Sequence, residues 1–303
     1  MPSRVPPAPV PVARPVLRPG THVLRRGAQE LQVGLHPDRA LVLTGTGAVR
    51  DGLRLLGTSA ALEEYDDPAA VELLAHQGEV LEEPDLRAAL AVGDVQPSTA
   101  AAVARADGHR AAEVLAARRA WRLEVRGFGH PCGAGLGEDL LALCRTAGIG
   151  TAERAGAGPD CGIAVGVGEP HRELLDEWTR GGTPYLLVRL TEGRAVLGPF
   201  VVPGSTACLR CLDATCTDVD PSWPLLVRQY ADACARDRPD GSPEPVDPLL
   251  AHLALAWAAR DLASYVDDAR PSTWSTTVTV HPRLGRLETR RWLRHPGCGC
   301  SWE

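Results

Sequence analysis

Two pairs of cysteines, far apart in the sequence, have the spacing of metal ligands. Cys208 and Cys211 stand in T-A-C-L-R-C-L-D, and Cys298 and Cys300 stand in H-P-G-C-G-C-S-W. Four thiolates surround Zn²⁺ tetrahedrally at about 2.3 Å and leave no open coordination position. The pattern therefore predicts a structural zinc site that ties the last residues of the sequence back to its middle.

Other interpretations of these cysteines stay open at this point. The pairs could form disulfides or be buried as apolar side chains, although a C-x-C pair closes on itself only with strain. His130 and His295 are spare ligands if one cysteine does not bind. The five remaining cysteines are scattered singly, without the spacing of a disulfide framework: Cys132, Cys144, Cys161, Cys216 and Cys234.

Composition narrows the class of protein. A chain of 303 residues predicts about two domains. The net charge of −6 and the aromatic content of 4% argue against nucleic-acid binding, which needs a basic face and stacking platforms. No stretch approaches the roughly 20 apolar residues of a membrane span. Residues 1–16 are rich in proline and lack the apolar core of a signal peptide, so we expect a disordered lead-in. Unpaired cysteines indicate a reducing cytoplasm.

Residues 17–83 show a strand pattern followed by a helical pattern. Three short segments separated by tight turns predict an antiparallel meander: Thr21–Arg26, Glu30–Leu35 and Arg39–Thr44. Helical spacing follows in three short segments, two within residues 47–62 and a third from Pro68 to His76. Strands followed by three helices in so short a segment are typical of a winged helix-turn-helix.

The third predicted helix argues against DNA as the ligand of this winged helix. It carries Glu72 and no lysine or arginine, so it would approach phosphates without a cation. An apolar groove edged by a strand suits an extended peptide that adds as an extra strand. We expect the edge at Ala40–Thr44 and the other wall at Pro68–His76. The candidate peptide-binding residues are Arg39, Ala40, Leu41, Val42, Leu43, Thr44, Val71 and Leu74.

Residues 84–120 are rich in alanine and predict a linker plus one helix, whereas residues 121–303 alternate strands with helices, which predicts a parallel sheet. The first strand of this sheet runs into a glycine-rich loop, where nucleotides bind in Rossmann-like folds. His130, Pro131 and Cys132 interrupt the loop, and no acidic residue is recognisable at the end of the next strand. We therefore expect a degenerate loop with a structural role. Its glycines are Gly127, Gly129, Gly133, Gly135 and Gly137.

Three segments carry a resemblance to a known family. G-P-F-V-V-P-G-S-T-A-C-L-R-C-L-D and the later H-P-G-C-G-C resemble the ThiF-like proteins of thiazole/oxazole-modified peptide pathways. These are cyclodehydratase partner proteins of the ocin-ThiF-like, or F-protein, branch. R-P-G-T-H-V-L-R-R-G-A-Q-E-L-Q-V-G-L resembles the RiPP recognition element, a PqqD-like winged helix that binds leader peptides. The resemblance covers nearly the whole chain.

The resemblance implies a recruiter without catalysis of its own. Such proteins bind the leader of a ribosomally made precursor peptide and present its core to a YcaO cyclodehydratase, which uses ATP to form azolines from Cys, Ser or Thr. The resemblance also implies three segments: a leader-binding winged helix over 17–83, a linker and helix over 84–120, and a ThiF-like domain over 121–303. The last is a Rossmann-type domain like that of ubiquitin-activating enzymes. Relatives commonly form homodimers. Arg25, Arg26 and Arg39 would lie near acidic leader residues.

Two other functions are considered. One is an ATP-dependent adenylating enzyme of the ThiF or ubiquitin-activating type, which would need Mg²⁺ and an attacked C-terminus or a thiol such as Cys216 or Cys234. The arginine and aspartate set that adenylating members use has no recognisable match in the sequence. The other is a winged-helix regulator that senses metal through its thiolates, against which the absence of a basic face counts.

Overall fold

A computed structural model of the chain describes residues 15–26, 30–44, 68–151 and 158–301. The chain divides into two compact units, Met1–Ala116 and Ala117–Glu303. No helix within the described ranges is both long and apolar enough to cross a membrane. The functional domains inferred from the sequence remain predictions.

The first unit begins with short antiparallel strands. β2, β3 and β4 form one sheet in that order, and β1 pairs with β5. In β3, Leu31 and Val33 are buried while Glu30 and Gln32 are half-buried, as the period of two requires. The helices expected within residues 47–62 lie outside the described residues. The elements are β1 (Pro15–Leu17), β2 (Val23–Arg25), β3 (Glu30–Val33), β4 (Leu41–Thr44), α1 (Pro68–His76) and β5 (Val80–Glu82).

Three helices follow where the sequence predicts a linker and one helix: α2 (Glu83–Leu90), α3 (Pro97–Asp107) and α4 (Ala111–Ala120). A proline in the first turn helps to start both α2 and α3, because its missing N–H has no partner there. Ala89, Ala100 and Ala104 are fully buried in a shared core, so these helices approach one another through alanines. Small core residues give a weak apolar pattern, and for that reason the sequence resembles a linker.

The second unit contains a six-stranded sheet in the order β11-β10-β9-β8-β7-β6. Its strands are β6 (Leu123–Gly129), β7 (Cys161–Val167), β8 (Tyr185–Thr191), β9 (Arg194–Val201), β10 (Thr276–Val280) and β11 (Leu287–Arg291). Its helices are α5 (Leu136–Thr146), α6 (Glu173–Arg180), α7 (Leu209–Thr217), α8 (Trp223–Cys234) and α9 (Pro248–Val266).

The sheet is mixed, and the prediction of a parallel sheet is correct only for β6, β7 and β8. β8 and β9 are joined by Glu192 and Gly193 alone, and both residues have positive φ, at 51° and 70°. A two-residue turn of this kind is a hairpin, which makes the strands antiparallel, because a parallel connection needs a crossover of a dozen residues or more. β9, β10 and β11 continue the antiparallel pattern.

Both faces of β7, in the interior of the sheet, are covered. Ile163 and Val165 of β7 pack into a core with α5 and α9, and Ala164 between them packs into a second core with α6 and α7. Gly162 lies on this second face against Trp178, whose ring is within 2.5 Å of the position that a Cβ would occupy. Since Trp178 is 2% exposed, it has little room to move away.

Replacing Gly162 by alanine is therefore expected to destabilise the second unit. Overpacking a closed core costs about 1–3 kcal/mol of unfolding free energy. Urea denaturation followed by tryptophan fluorescence measures this loss. Gly127→Ala, where a Cβ would meet no atom within 4 Å, is the matched control and is expected to change stability by about 0.5 kcal/mol or less. Equal stability of the two variants would contradict the packing described for Trp178.

Candidate functional site

Four thiols from distant parts of the second unit meet in one cluster. The Sγ atoms of Cys208 and Cys211 are 3.7 Å apart. Cys298 is 3.6 Å from Cys208, and Cys300 is 3.3 Å from Cys211. All four Sγ atoms lie within 4.8 Å of one another, as ligands of one ion must. Four sulfurs at 2.3 Å around a tetrahedral centre would be about 3.8 Å apart, so the cluster can hold a metal ion.

The first pair is positioned by helix α7. Cys208 is the N-cap residue of this helix, and the backbone N–H of Cys211 donates to the Cys208 carbonyl at 3.0 Å. One turn of helix thereby directs both thiols to the same side. Asp213, on the same helix, receives two hydrogen bonds from Arg172 at 2.7 and 2.8 Å. Because Arg172 lies just before α6, this ion pair fixes α7 against its neighbour.

The second pair is positioned by the chain that leaves β11. Trp292 is buried and donates its indole N–H to the Thr277 hydroxyl at 3.0 Å. His295 bonds Asp218 through Nε2 at 2.9 Å and accepts the Gly297 N–H through Nδ1 at 3.0 Å. Both ring nitrogens are therefore occupied, and His295 orders the turn before Cys298 instead of joining the thiols.

The donor chemistry of the cluster fits a divalent cation. A hydrogen bond from Cys208 and another from the backbone N–H of His295 lower the pKa of the Cys211 thiol to about 4. The bond to Cys211, together with burial, raises the pKa of Cys208, and burial raises that of Cys300 to about 11. Without a cation, Cys208 and Cys300 would therefore stay protonated at neutral pH, whereas Cys211 would be a thiolate. A bound divalent cation would favour the thiolate form of all four ligands and offset half of their negative charge.

The glycine-rich loop has a packing role. Gly129 has φ +76°, and a Cβ there would lie 1.7 Å from the carbonyl oxygen of Val167. A Cβ on Gly133 would meet the Val167 side chain at 2.9 Å. The loop also borders a cleft of about 450 Å³, and among its described lining residues His130 and Glu138 alone can carry charge. His130 pairs with Asp237 at 3.1 Å and takes no part in the thiol cluster.

An acidic residue missed in the sequence follows the end of β7. Glu169 lies two residues beyond Val167, which corrects the expectation that none would be found there. Its carboxylate accepts from Arg189 at 2.5 Å and from Arg172 at 2.9 Å, so both oxygens are engaged. Arg172 and Asp213 line a neighbouring cleft of about 510 Å³. The segment G-V-G-E-P, which spans the end of the buried strand β7, could have indicated this residue. The sequence alone did not fix where that strand ends.

In the first unit, the open side of β4 presents backbone groups. Within the described residues β4 is an edge strand, paired only with β3. The Gly34 N–H donates to the His22 carbonyl, so even-numbered residues of β3 face β2 and odd-numbered ones face β4. On β4, Leu41 and Leu43 consequently bond β3, while Val42 and Thr44 direct their N–H groups outward.

The side chains predicted for the peptide groove divide between the core and the surface. Leu43 and Leu74 are 8% and 0% exposed and belong to one core, which corrects their assignment to the groove. Val42 points to the opposite face of the strand from Leu43, and Leu73 is turned by about 100° around the helix from Leu74, so the two are 38% and 40% exposed. The sequence did not single out Leu73 as a groove residue, because it does not show which of two neighbouring leucines faces the core. Arg39 is exposed, Ala40 and Leu41 are half-buried, and the side chains of Thr44 and Val71 lie outside what the structure describes.

Comparison with known proteins identifies the fold. No protein-family model matches the sequence, and no curated protein matches it. Among solved structures, the heterocyclase TruD has a TM-score of 0.68 at 18% identity, over 95% of this chain and 42% of its own. A heterocyclase in complex with substrate and cofactor gives 0.67 at 20% identity, over 95% of this chain and 40% of its own.

A third counterpart is similar over its full length. E. coli MccB, in complex with MccA-N7isoASN, has a TM-score of 0.62 at 13% identity, over 96% of this chain and 100% of its own. MccB has also been solved with ATP. The chain has the mixed α/β fold of these heterocyclases and of MccB. It spans about two fifths of the heterocyclases' length, and identities of this size establish the fold alone.

The thiol cluster is expected to carry one metal ion per chain. Replacing Cys211 by serine should remove the ion and lower the melting temperature, because structural metal binding contributes directly to folding. Elemental analysis and thermal unfolding measure both effects. Cys216→Ser, on the same helix but outside the cluster, is the control and should retain the ion. Gently purified protein without a stoichiometric metal would refute the site.

Proposed function

We propose that this chain binds the leader of a ribosomally made precursor peptide and delivers it to a YcaO cyclodehydratase for azoline formation. The observation that carries the proposal is the shared fold, which covers 95% of this chain in two heterocyclases, one of them bound to substrate. A chain with this fold and a separate peptide-binding edge suits recruitment of a peptide substrate better than chemistry of its own.

The share of the heterocyclases that this chain matches supports the assignment of peptide binding and ring formation to two separate proteins. The heterocyclases contain about three fifths of their length beyond the part that matches. We assign ring formation to a separate YcaO protein that corresponds to this remainder. In that arrangement the present chain supplies substrate binding, and the ATP-dependent step takes place on the partner.

The leader is proposed to add as a strand to the open side of β4. Val42 and Thr44 would supply backbone donors, and the exposed Val42 and Leu73 side chains would meet apolar leader residues. Arg39 is exposed and could pair with an acidic leader residue. The metal is proposed to be Zn²⁺ in a structural role, since four thiolates are its preferred closed ligand set.

Val42→Pro is expected to weaken leader binding by about tenfold or more, because it removes a backbone donor at the edge. The β3–β4 ladder should persist, since the Val42 N–H takes no part in it. Titration of the full chain with a labelled leader from the precursor encoded beside it measures the affinity. Val42→Ile retains the donor and is the matched control. Metal content should be the same in both variants.

Two outcomes would contradict this assignment. If Val42→Pro binds the leader as tightly as Val42→Ile does, the edge of β4 is not the site. If residues 91–303 bind the leader as well as the full chain does, the site does not require residues 1–90, and the assignment to β4 is wrong.

A second candidate is an ATP-dependent adenylating enzyme, favoured by the match to the whole length of MccB, which has been solved with ATP. Three observations weigh against it. The cleft at the glycine loop has no lysine or arginine among its described lining residues. The Glu169 carboxylate is engaged by two arginines. Burial raises the pKa of Cys216 and of Cys234, which makes both poor nucleophiles at neutral pH.

The chain alone is therefore expected to show no ATP–pyrophosphate exchange, with or without precursor peptide. An exchange assay with radiolabelled pyrophosphate and Mg²⁺ measures this, and an active adenylating enzyme assayed in parallel establishes sensitivity. Exchange that requires the precursor peptide would replace the recruiting function by the adenylating one.

A further inference from the structure

The segment around β11 carries a local charge opposite to that of the chain as a whole. Residues 283–295 contain five arginines and one glutamate, a net charge of +4, whereas the whole chain carries −6. The remaining residues therefore carry −10. Arg286 pairs with Glu288 at 2.8 Å. Within the part of the chain that the structure describes, neither Arg283 nor Arg291 has a hydrogen-bonded or ionic partner.

The backbone of β11 is open along one side. It is an edge strand of the six-stranded sheet and pairs only with β10 among the described residues. The Trp292 N–H donates to the Ser275 carbonyl at 2.7 Å. Because bonded residues alternate along an antiparallel strand, Leu287, Thr289 and Arg291 direct their N–H and C=O groups away from β10. These groups form a free strand edge.

Charges on an edge strand often serve only to prevent unwanted pairing. Two features go beyond such protection. The arginines have one sign and nearly no counter-charge, so the edge repels its own copy and attracts an acidic strand. Leu287 and Leu293 are also 55% and 75% exposed beside it. Exposed leucines make an edge more adhesive, which a purely protective edge would avoid.

We propose that β11 is a docking edge for an extended acidic segment of a partner protein. The segment adds as a further strand, exchanging backbone hydrogen bonds with Leu287, Thr289 and Arg291. Opposite charges on facing residues of paired strands attract, so a carboxylate is placed opposite Arg291 and an apolar side chain opposite Leu287, on the same face. This surface belongs to the second unit, and the proposal does not depend on leader binding at β4.

The test uses the full chain and a labelled synthetic peptide of about eight residues in which threonine occupies every second position and glutamate and valine take turns at the positions between, so that one face offers both a carboxylate and an apolar side chain. Fluorescence anisotropy should show saturable binding that weakens with added salt. Thr289→Pro should weaken binding by about tenfold, because it removes an edge donor without touching the β10 ladder. Thr289→Val retains that donor and should bind normally.

Charge is tested separately from the backbone. Arg291→Glu should weaken binding of the peptide by about fivefold to tenfold, as expected for reversing one exposed pair. Arg145→Glu, an equal charge change on the exposed side of α5, should have little effect. The same peptide with lysine in place of each glutamate should not bind.

Four outcomes would overturn the proposal. The first is the absence of saturable binding. The second is equal binding by Thr289→Pro and Thr289→Val, which would reduce the surface to non-specific charge attraction. The third is tighter, Arg291-dependent binding of a single-stranded oligonucleotide, which would assign the surface to nucleic acid. The fourth is a change in oligomeric state of Arg291→Glu by light scattering, which would assign the edge to a second copy.

Discussion

The second unit depends on the closure of four thiols between residues 208 and 300. Buried Cys208 and Cys211 are fixed by α7, and the segment that follows β11 brings Cys298 and Cys300 to them. The same closure orders the chain around Trp292 and the His295–Asp218 contact. A metal ion bound at this cluster would hold the end of β11 against the second core, because Cys298 and Cys300 follow that strand and lie beside the buried Cys208 and Cys211.

The groups that could contact a ligand differ between the two units. The first unit offers backbone donors on β4 with an exposed Val42 beside them. The second unit offers a scaffold whose glycine loop is used to bring β6 and β7 together at Gly129. The described lining of the cleft at that loop contains no lysine or arginine.

Local spacing was enough to predict some features. The C-x-x-C and C-x-C pairs predicted the cluster of thiols, since ligands of one ion must converge. Alternation predicted the strand pattern in β3, and strand–helix alternation predicted the parallel pairing of β6, β7 and β8. In each case the signal lies within a few residues of the feature that it predicts.

Features that depend on tertiary partners were not predictable in the same way. Leu73 and Leu74 are equally apolar, and only the position of the core decides which one is buried. The antiparallel half of the sheet follows from the turn at Glu192 and Gly193, whose positive φ at a non-glycine residue has no clear sequence signal. Alanine-lined helix contacts around Ala100 and Ala104 leave almost no apolar pattern. The role of Glu169 required its two arginine partners, which lie elsewhere in the chain.

Reconstitution of ring formation tests the central claim most directly. The precursor peptide, the YcaO cyclodehydratase and ATP are combined with and without this chain, and the loss of one water per ring is followed by mass spectrometry. The account predicts ring formation that requires both this chain and the leader of the precursor. Equally fast ring formation without the chain, or with a leaderless precursor, would contradict it.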